Sequence, residues 1–188
     1  MDQNDHLKPL VELLDAAMSE DVVGTLTQRI ANGLHDLACN EKLELPESVK
    51  TVVPDGYARR LIHRCPERGF TVVVMTWGPG QETQLHDHAG MWCVECVVEG
   101  QLEVVQFDLA EEIEDRCRFV QRASVRAGVG DSGCLIPPYE YHVLRNALPD
   151  RRSVTVHVYS GDMEYCNLYL PSDDGWWLRT AKPLEYDS

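Results

Sequence analysis

The hydrophobic positions of the chain change their period near residue 50. Leu7, Leu10, Val11, Leu14 and Met18 recur at intervals of three and four, so they share one stripe of an amphipathic helix that the spacing carries to about Glu20. Leu26, Ile30, Leu34 and Leu37 repeat the interval after Gly24 and predict a second helix from the late twenties to the late thirties. Pro46 and Pro54 close this helical region. From Tyr57 onward the pattern becomes short β-branched and apolar runs: Phe70 to Trp77, Cys93 to Val98, Leu102 to Leu109, Val120 to Val125, and Val154 to Tyr159. Gly78-Pro79-Gly80, Glu99-Gly100 and Pro137-Pro138 read as turns between them. Many short strands at this spacing predict a barrel or jelly roll rather than a doubly wound sheet. The expected organisation is one domain over 1–188, with a helical segment at 1–50 and a β-barrel at 51–188.

With 188 residues, 44% of them hydrophobic, the chain can bury a sizeable core, which excludes a disordered protein. A formal net charge of -14 with no basic block argues against nucleic acid and anionic membranes as partners. The start, Met1-Asp2-Gln3-Asn4-Asp5, lacks the basic and apolar regions of a signal peptide, and no apolar run approaches the roughly 18 residues of a membrane span. A soluble, cytoplasmic, monomeric protein is expected, with its seven scattered cysteines mostly reduced. The acidic stretch Glu111, Glu112, Glu114 and Asp115 reads as a solvated loop.

Candidate chemistry centres on His86-Asp87-His88. Residues two apart on a strand face the same way, so both imidazoles can reach one metal ion. His142 supplies a third nitrogen if the barrel brings its strand alongside. His157 and Tyr159 alternate with valines and share a strand face. His6, His35 and His63 read as ordinary histidines, Cys96 as a small buried hydrophobe, and Trp77, Trp92, Trp176 and Trp177 as packing residues, Trp92 standing near enough to the ligands to wall a pocket.

The spacing Gly80, His86, His88, Cys93, Gly100 resembles the first motif of the cupin superfamily, with Cys93 where a glutamate ligand is usual. Pro137, His142 and Asn146 resemble the second, with Tyr139 replacing the glycine often found between them. Together with Tyr57-Ala58-Arg59 and His157-Val158-Tyr159, these features resemble the thiol dioxygenases, and cysteine dioxygenase in particular, over roughly the C-terminal two-thirds of the chain.

The resemblance implies a cupin β-barrel behind N-terminal helices and non-haem Fe(II) held by His86, His88 and His142. It further implies oxidation of a small thiol to its sulfinic acid with both atoms of O₂, Arg59 and Tyr57 binding the substrate carboxylate, and catalytic roles for Tyr159, His157 and Cys93. Some members join the cysteine and tyrosine matching Cys93 and Tyr159 through a thioether. L-cysteine is the expected substrate, because relatives acting on 3-mercaptopropionate often carry glutamine near Arg59's position and glycine near that of Cys93. The alternatives are 3-mercaptopropionate, mercaptosuccinate, a zinc cupin, for which no obvious general base stands out beyond Glu95 with its strand parity to Cys93, and a non-catalytic cupin. Two positions depart from the family: Thr155 stands where serine is common, and Ser160-Gly161-Asp162 where the animal-type enzyme has Ser-Pro-Pro.

Overall fold

The computed structural model describes residues 5–188, so Met1–Asn4, on which the N-terminal reading rested, lie outside the described residues. Helix α1 spans Lys8–Ala17 and stops short of Glu20. There the Ser19 hydroxyl donates to the Ala16 carbonyl and the Glu20 N–H to that of Ala17, turning the chain. Helix α2, Val23–Cys39, begins earlier than its apolar stripe. Val22 and Val23 are exposed and leave no periodic trace, while the Thr27 hydroxyl closes the first turn by donating to the carbonyls of Val23 and Gly24. A single 3₁₀ turn, Glu47–Lys50, fills the segment between the two prolines.

Five antiparallel strands form one sheet: β1 (Ala58–Cys65), β2 (Phe70–Trp77), β4 (Cys93–Glu99), β7 (Ser132–Leu135) and β9 (Ser153–Tyr159), in the order β1-β2-β9-β4-β7. The others are β3 (Leu85–His86), β5 (Leu102–Ile113), β6 (Arg116–Ala127), β8 (His142–Asn146), β10 (Tyr165–Pro171) and β11 (Trp177–Pro183). They close on themselves in the order β10-β11-β6-β5-β8-β3, with β3 pairing back to β10.

Strand alternation divides the core in two. On one face of the sheet Phe70, Val72, Val74, Val94, Cys96, Val154, Val156 and Val158 pack against Leu10, Leu14, Ile30 and Leu34 of the helices. On the other face Val73, Met75, Trp77, Cys93, Val97 and Tyr159 point into the barrel, against Leu102, Val104 and Leu144. The helices therefore explain why β2, β4 and β9 read as continuous apolar runs: their strands are buried on both faces. Cys93 and Cys96 consequently face opposite layers and cannot act as a pair.

The acidic stretch is not a free loop but the tip of the β5–β6 hairpin, with Glu114 in the left-handed region (φ 57). Arg118 pairs with Glu111 there and Arg179 with Glu112, so the charges are matched across strands. At the β4–β5 turn Gly100 has φ 78, and a Cβ there would lie 2.4 Å from Ser153 Oγ, so both conformation and space require glycine. Among the described residues no helix is long and apolar enough to cross a membrane.

Candidate metal centre

Two antiparallel pairings bring the histidines together. His86 on β3 lies directly opposite His142 on β8, and β8 is held in the barrel by five register pairs with β5. His88 follows two residues after His86, where Asp87 must point the other way. The Asp87 carboxylate accepts four hydrogen bonds: from the N–H groups of Ala89 and Asn167, from the Asn167 amide and from the Tyr169 hydroxyl. Burial alone would raise this carboxyl, but those donors hold it below its ordinary range, so an ionised, immobile Asp87 pins the loop that carries both ligands.

One ring nitrogen from each of His86, His88 and His142 lies within 4.8 Å of the others, and the two Nε2 atoms of His86 and His142 are 3.2 Å apart. The opposite nitrogens have partners of their own. His86 Nδ1 donates to the Gln84 carbonyl at 2.9 Å, and His88 Nδ1 to Glu140 Oε2 at 3.2 Å. Each such bond fixes the tautomer that leaves Nε2 as a lone pair facing the cluster. His142 Nδ1 has no hydrogen-bond partner, but the buried Glu95 carboxylate stands 3.8 Å behind it. Burial pushes the His86 imidazole down to about 3 and that of His142 well below its ordinary value. Converging and mutually unsatisfied nitrogens are what a divalent cation requires, and these three residues fit one.

The remaining expected residues surround this cluster. Cys93 and Tyr159 are direct cross-strand partners on β4 and β9, and the Tyr159 ring stands 6.1 Å from that of His88. His157 Nε2 shares a 2.7 Å hydrogen bond with the Thr155 hydroxyl, which also accepts from Trp77 Nε1 at 3.0 Å. The hydroxyl common at this position is thus retained in threonine and reaches the histidine. His157 stacks nearly parallel on Tyr159, at 12°, and among the described residues no hydrogen bond joins them. Burial holds the His157 imidazole down to about 3 and raises the Tyr159 hydroxyl well above its ordinary value.

Arg59 lies over the Tyr159 ring, and Tyr57 packs against the same core as Tyr159. The Arg59 guanidinium is 3% exposed, 6.0 Å from the Tyr159 ring, and donates through Nη2 to the Met163 carbonyl. Its Nε and Nη1 have no partner, and no carboxylate pairs with it among the described residues. Arg60 points outward to the carbonyls of Val49 and Thr51. Tyr57 stacks on Trp77 at 4.6 Å, and burial pushes its hydroxyl up to about 12. His35 bonds the Gly130 carbonyl well outside the cluster, and Trp92 packs in the helix-facing core.

Two participants escaped the sequence pattern, and a third showed there only as a strand neighbour of Cys93. Glu140 lies two residues before His142, the only trace it leaves. Tyr186, near the C-terminus, leaves none, yet its ring lies 4.5 Å from the Arg59 guanidinium. The neighbour of Cys93 is Glu95. It is buried at 8% exposure between His142 and His157, whose Nδ1 lies 3.7 Å from it, and burial pushes its carboxyl up to about 8. Beside it opens a cavity of about 310 Å³ lined by Val97, Val104, Gly133, Leu135 and Thr155. A Cβ on Gly133 would stand 3.4 Å from Glu95 Oε1, so the glycine keeps that wall open.

Comparison with known families settles the relationship. Residues 47–172, which hold all of the candidate ligands, match the family model for cysteine dioxygenase type I. The chain belongs to that family. The cysteine dioxygenase type 1 of Danio rerio is 25% identical over 118 residues, covering 60% of this chain and 55% of that protein. The chain thus spans about half the length of this curated relative. Among solved structures, a double-stranded β-helix protein from Klebsiella pneumoniae is similar (TM-score 0.46, 19% identity, covering 71% of this chain and 93% of that one). So is a cupin-2 domain protein from Rhodospirillum rubrum (TM-score 0.47, 16% identity, covering 70% and 74%). As a member of the cysteine dioxygenase type I family, the chain has the mainly β cupin fold that family membership implies, preceded by two helices. The three-histidine cluster gives it a site able to hold a metal.

Proposed function

We propose that this protein is a non-haem Fe(II) thiol dioxygenase that converts L-cysteine, with O₂, to its sulfinic acid. The observation carrying this reading is a buried guanidinium with no anionic partner that shares the Tyr159 ring as a neighbour with His88, one of three converging imidazoles. An uncompensated buried cation is unfavourable unless something neutralises it, and a substrate carboxylate does so. The distances of 6.0 Å and 6.1 Å from the Tyr159 ring to Arg59 and to His88 suit a molecule only a few atoms long.

His86, His88 and His142 would hold the iron. Three neutral ligands leave its full dipositive charge to attract a thiolate, and the bound metal supplies the chemistry that brings O₂ to the sulfur. The net reaction takes a thiol and O₂ to a sulfinate and one proton. Arg59 binds the carboxylate and so fixes which end of the substrate faces the histidines. Tyr57 walls the same end. Tyr159, kept protonated by burial, donates a hydrogen bond toward the reacting sulfur and oxygen atoms, while Thr155 orients His157 beneath its ring. Glu95 stands behind His142 Nδ1, away from the converging Nε2 atoms that would hold the metal, so it is not positioned as the base the hydrolytic alternative would need. Unpaired thiols at all seven cysteines suit a reducing, cytoplasmic setting, and we take the protein to act as a monomer.

The test is oxygen uptake by anaerobically iron-loaded protein given L-cysteine, 3-mercaptopropionate and mercaptosuccinate in parallel, with the product identified by mass. Uptake matched by cysteine sulfinate, at the highest kcat/KM of the three, supports the assignment. Faster turnover of another thiol transfers it to that substrate, and no uptake despite bound iron overturns it.

A further inference from the structure

The C-terminal segment 184–188 lies beyond the residues that match the family, yet it is tied to the substrate-facing arginine from outside the barrel. The Asp187 N–H donates to the Arg59 carbonyl at 2.8 Å, and the Arg59 N–H returns a bond to Asp187 Oδ2 at 2.7 Å. The Leu184 N–H donates to the Glu164 carbonyl. The segment thus pairs with the outer edge of β1, the edge strand of its sheet, and the backbone at Arg59 is its anchor. Its central side chain turns inward. The Tyr186 ring covers the Arg59 guanidinium at 4.5 Å, and its hydroxyl donates to Asp162, which is in turn paired with Arg64.

We infer that Tyr186 is a specificity-determining residue that selects thiols bearing a carboxylate, by holding Arg59 in the plane that presents its free donors inward. The guanidinium has two faces and a rim of N–H donors. Tyr186 occupies one face through an attraction that needs no acidic partner, so the cation is held without being neutralised. Met163 takes Nη2, leaving Nε and Nη1 unpartnered. A carboxylate at position 186 would instead occupy those donors, and an aliphatic side chain there would let the long arginine side chain swing. The aromatic ring does neither. This assignment rests on the proposed carboxylate site.

The experiment compares iron-loaded wild type, Tyr186→Phe and Tyr186→Leu in two measurements. The first is anaerobic calorimetric binding of L-cysteine and of cysteamine, which lacks the carboxylate; the second is oxygen uptake with each. In Tyr186→Leu the Kd and KM for cysteine rise about tenfold, the kcat falls less than the KM rises, and cysteamine binding changes less than twofold. Tyr186→Phe keeps the ring and holds both values for cysteine within about threefold of wild type. Equal losses for the two thiols, or none, overturn the inference, as does failure of wild type to bind cysteine in preference to cysteamine. Preferential binding of cysteine without oxygen uptake overturns the proposed reaction but leaves the role of Tyr186 decided by the binding data. Thermal melting of both variants reports whether the fold is kept.

Discussion

Glu140 Oε2 lies 3.2 Å from His88 Nδ1 and accepts the backbone N–H of the same residue at 2.9 Å. One carboxylate oxygen therefore fixes both the ring and the main chain of a candidate ligand, in a setting where Glu140 itself is buried. Removing such a partner typically weakens metal affinity about 10–100-fold. Glu140→Ala is expected to shift the Fe(II) or Co(II) dissociation constant by that factor in a chelator competition, with Glu140→Gln, which can still accept both bonds, losing less. Wild-type affinity in Glu140→Ala would show that His88 needs no orienting partner.

Arg59 offers a test that separates binding from folding. A buried, unpaired cation destabilises the fold, so Arg59→Met should leave the thermal midpoint unchanged or raise it. The same substitution removes a desolvated ion pair with the substrate and should raise KM for a carboxylated thiol by an amount corresponding to about 2–5 kcal/mol. A variant that melts early while keeping its KM would make Arg59 structural. The comparison is best made with L-cysteine, by oxygen uptake and differential scanning calorimetry on the same preparation.

Thr155 bridges Trp77 and His157 with one hydroxyl. Thr155→Val preserves the volume but strands the indole N–H and frees His157 Nε2 in a fully buried setting, at a cost of about 1–3 kcal/mol. Thr155→Ser should restore most of this in urea denaturation. If Thr155 serves only packing, valine will match threonine.

The two periodicities at either end of the chain lead to the helices and to the inner strands with small errors at their termini, because those errors fall where side chains make no buried contact, as at Val22 and Val23. The His86, His88 and His142 cluster was legible for a different reason: two of its members are fixed to one face by strand parity, and the third follows once β8 returns beside β3. Glu140 and Tyr186 were not. Each acts through a pairing across the barrel, Glu140 on a ligand 52 positions away, and the segment carrying Tyr186 on a strand 128 positions away. No local period encodes such a contact. Glu95 was visible as a strand neighbour of Cys93, but its burial depends on β9 and β7 closing over it, which only the register reveals.

Cys93 and Tyr159 face each other across β4 and β9. Burial, with the Glu95 charge, raises the Cys93 thiol well above its ordinary value, while hydrogen bonding from Tyr159 opposes it. A thiol so held is unreactive until an oxidant is generated beside it. Turnover of iron-loaded protein with O₂ should therefore produce a fraction lighter by two hydrogens, through a bond between the cysteine sulfur and the tyrosine ring, with the electrons passing to O₂. Intact-mass measurement before and after turnover checks this, and Cys93→Ser should stay at a single mass. A constant wild-type mass would show that adjacency alone does not cross-link the pair.

The metal-free protein should respond to pH through two opposing groups of side chains. His86 and His157 are held down to about 3 by burial, so the stability they contribute is present above the ordinary histidine value near 6.5 and is lost as pH falls through about 3. Glu95 runs the other way. Its carboxyl is pushed from 4.5 up to about 8 by burial, so its contribution is full below 4.5 and is lost as pH rises through about 8. An unfolded histidine is still half protonated at pH 6.5, so the histidines go on gaining stability as pH rises to about 7.5, and the Glu95 contribution is read as the difference between wild type and Glu95→Gln, which keeps them. Between pH 6.5 and 8 the folded carboxyl keeps a proton that the unfolded chain has released, and the wild type should lose about 2 kcal/mol relative to Glu95→Gln. Urea denaturation of the two chelated proteins over that window checks it. Parallel slopes for the two proteins would mean that Glu95 ionises normally in the fold, with water reaching it through the opening at Gly133.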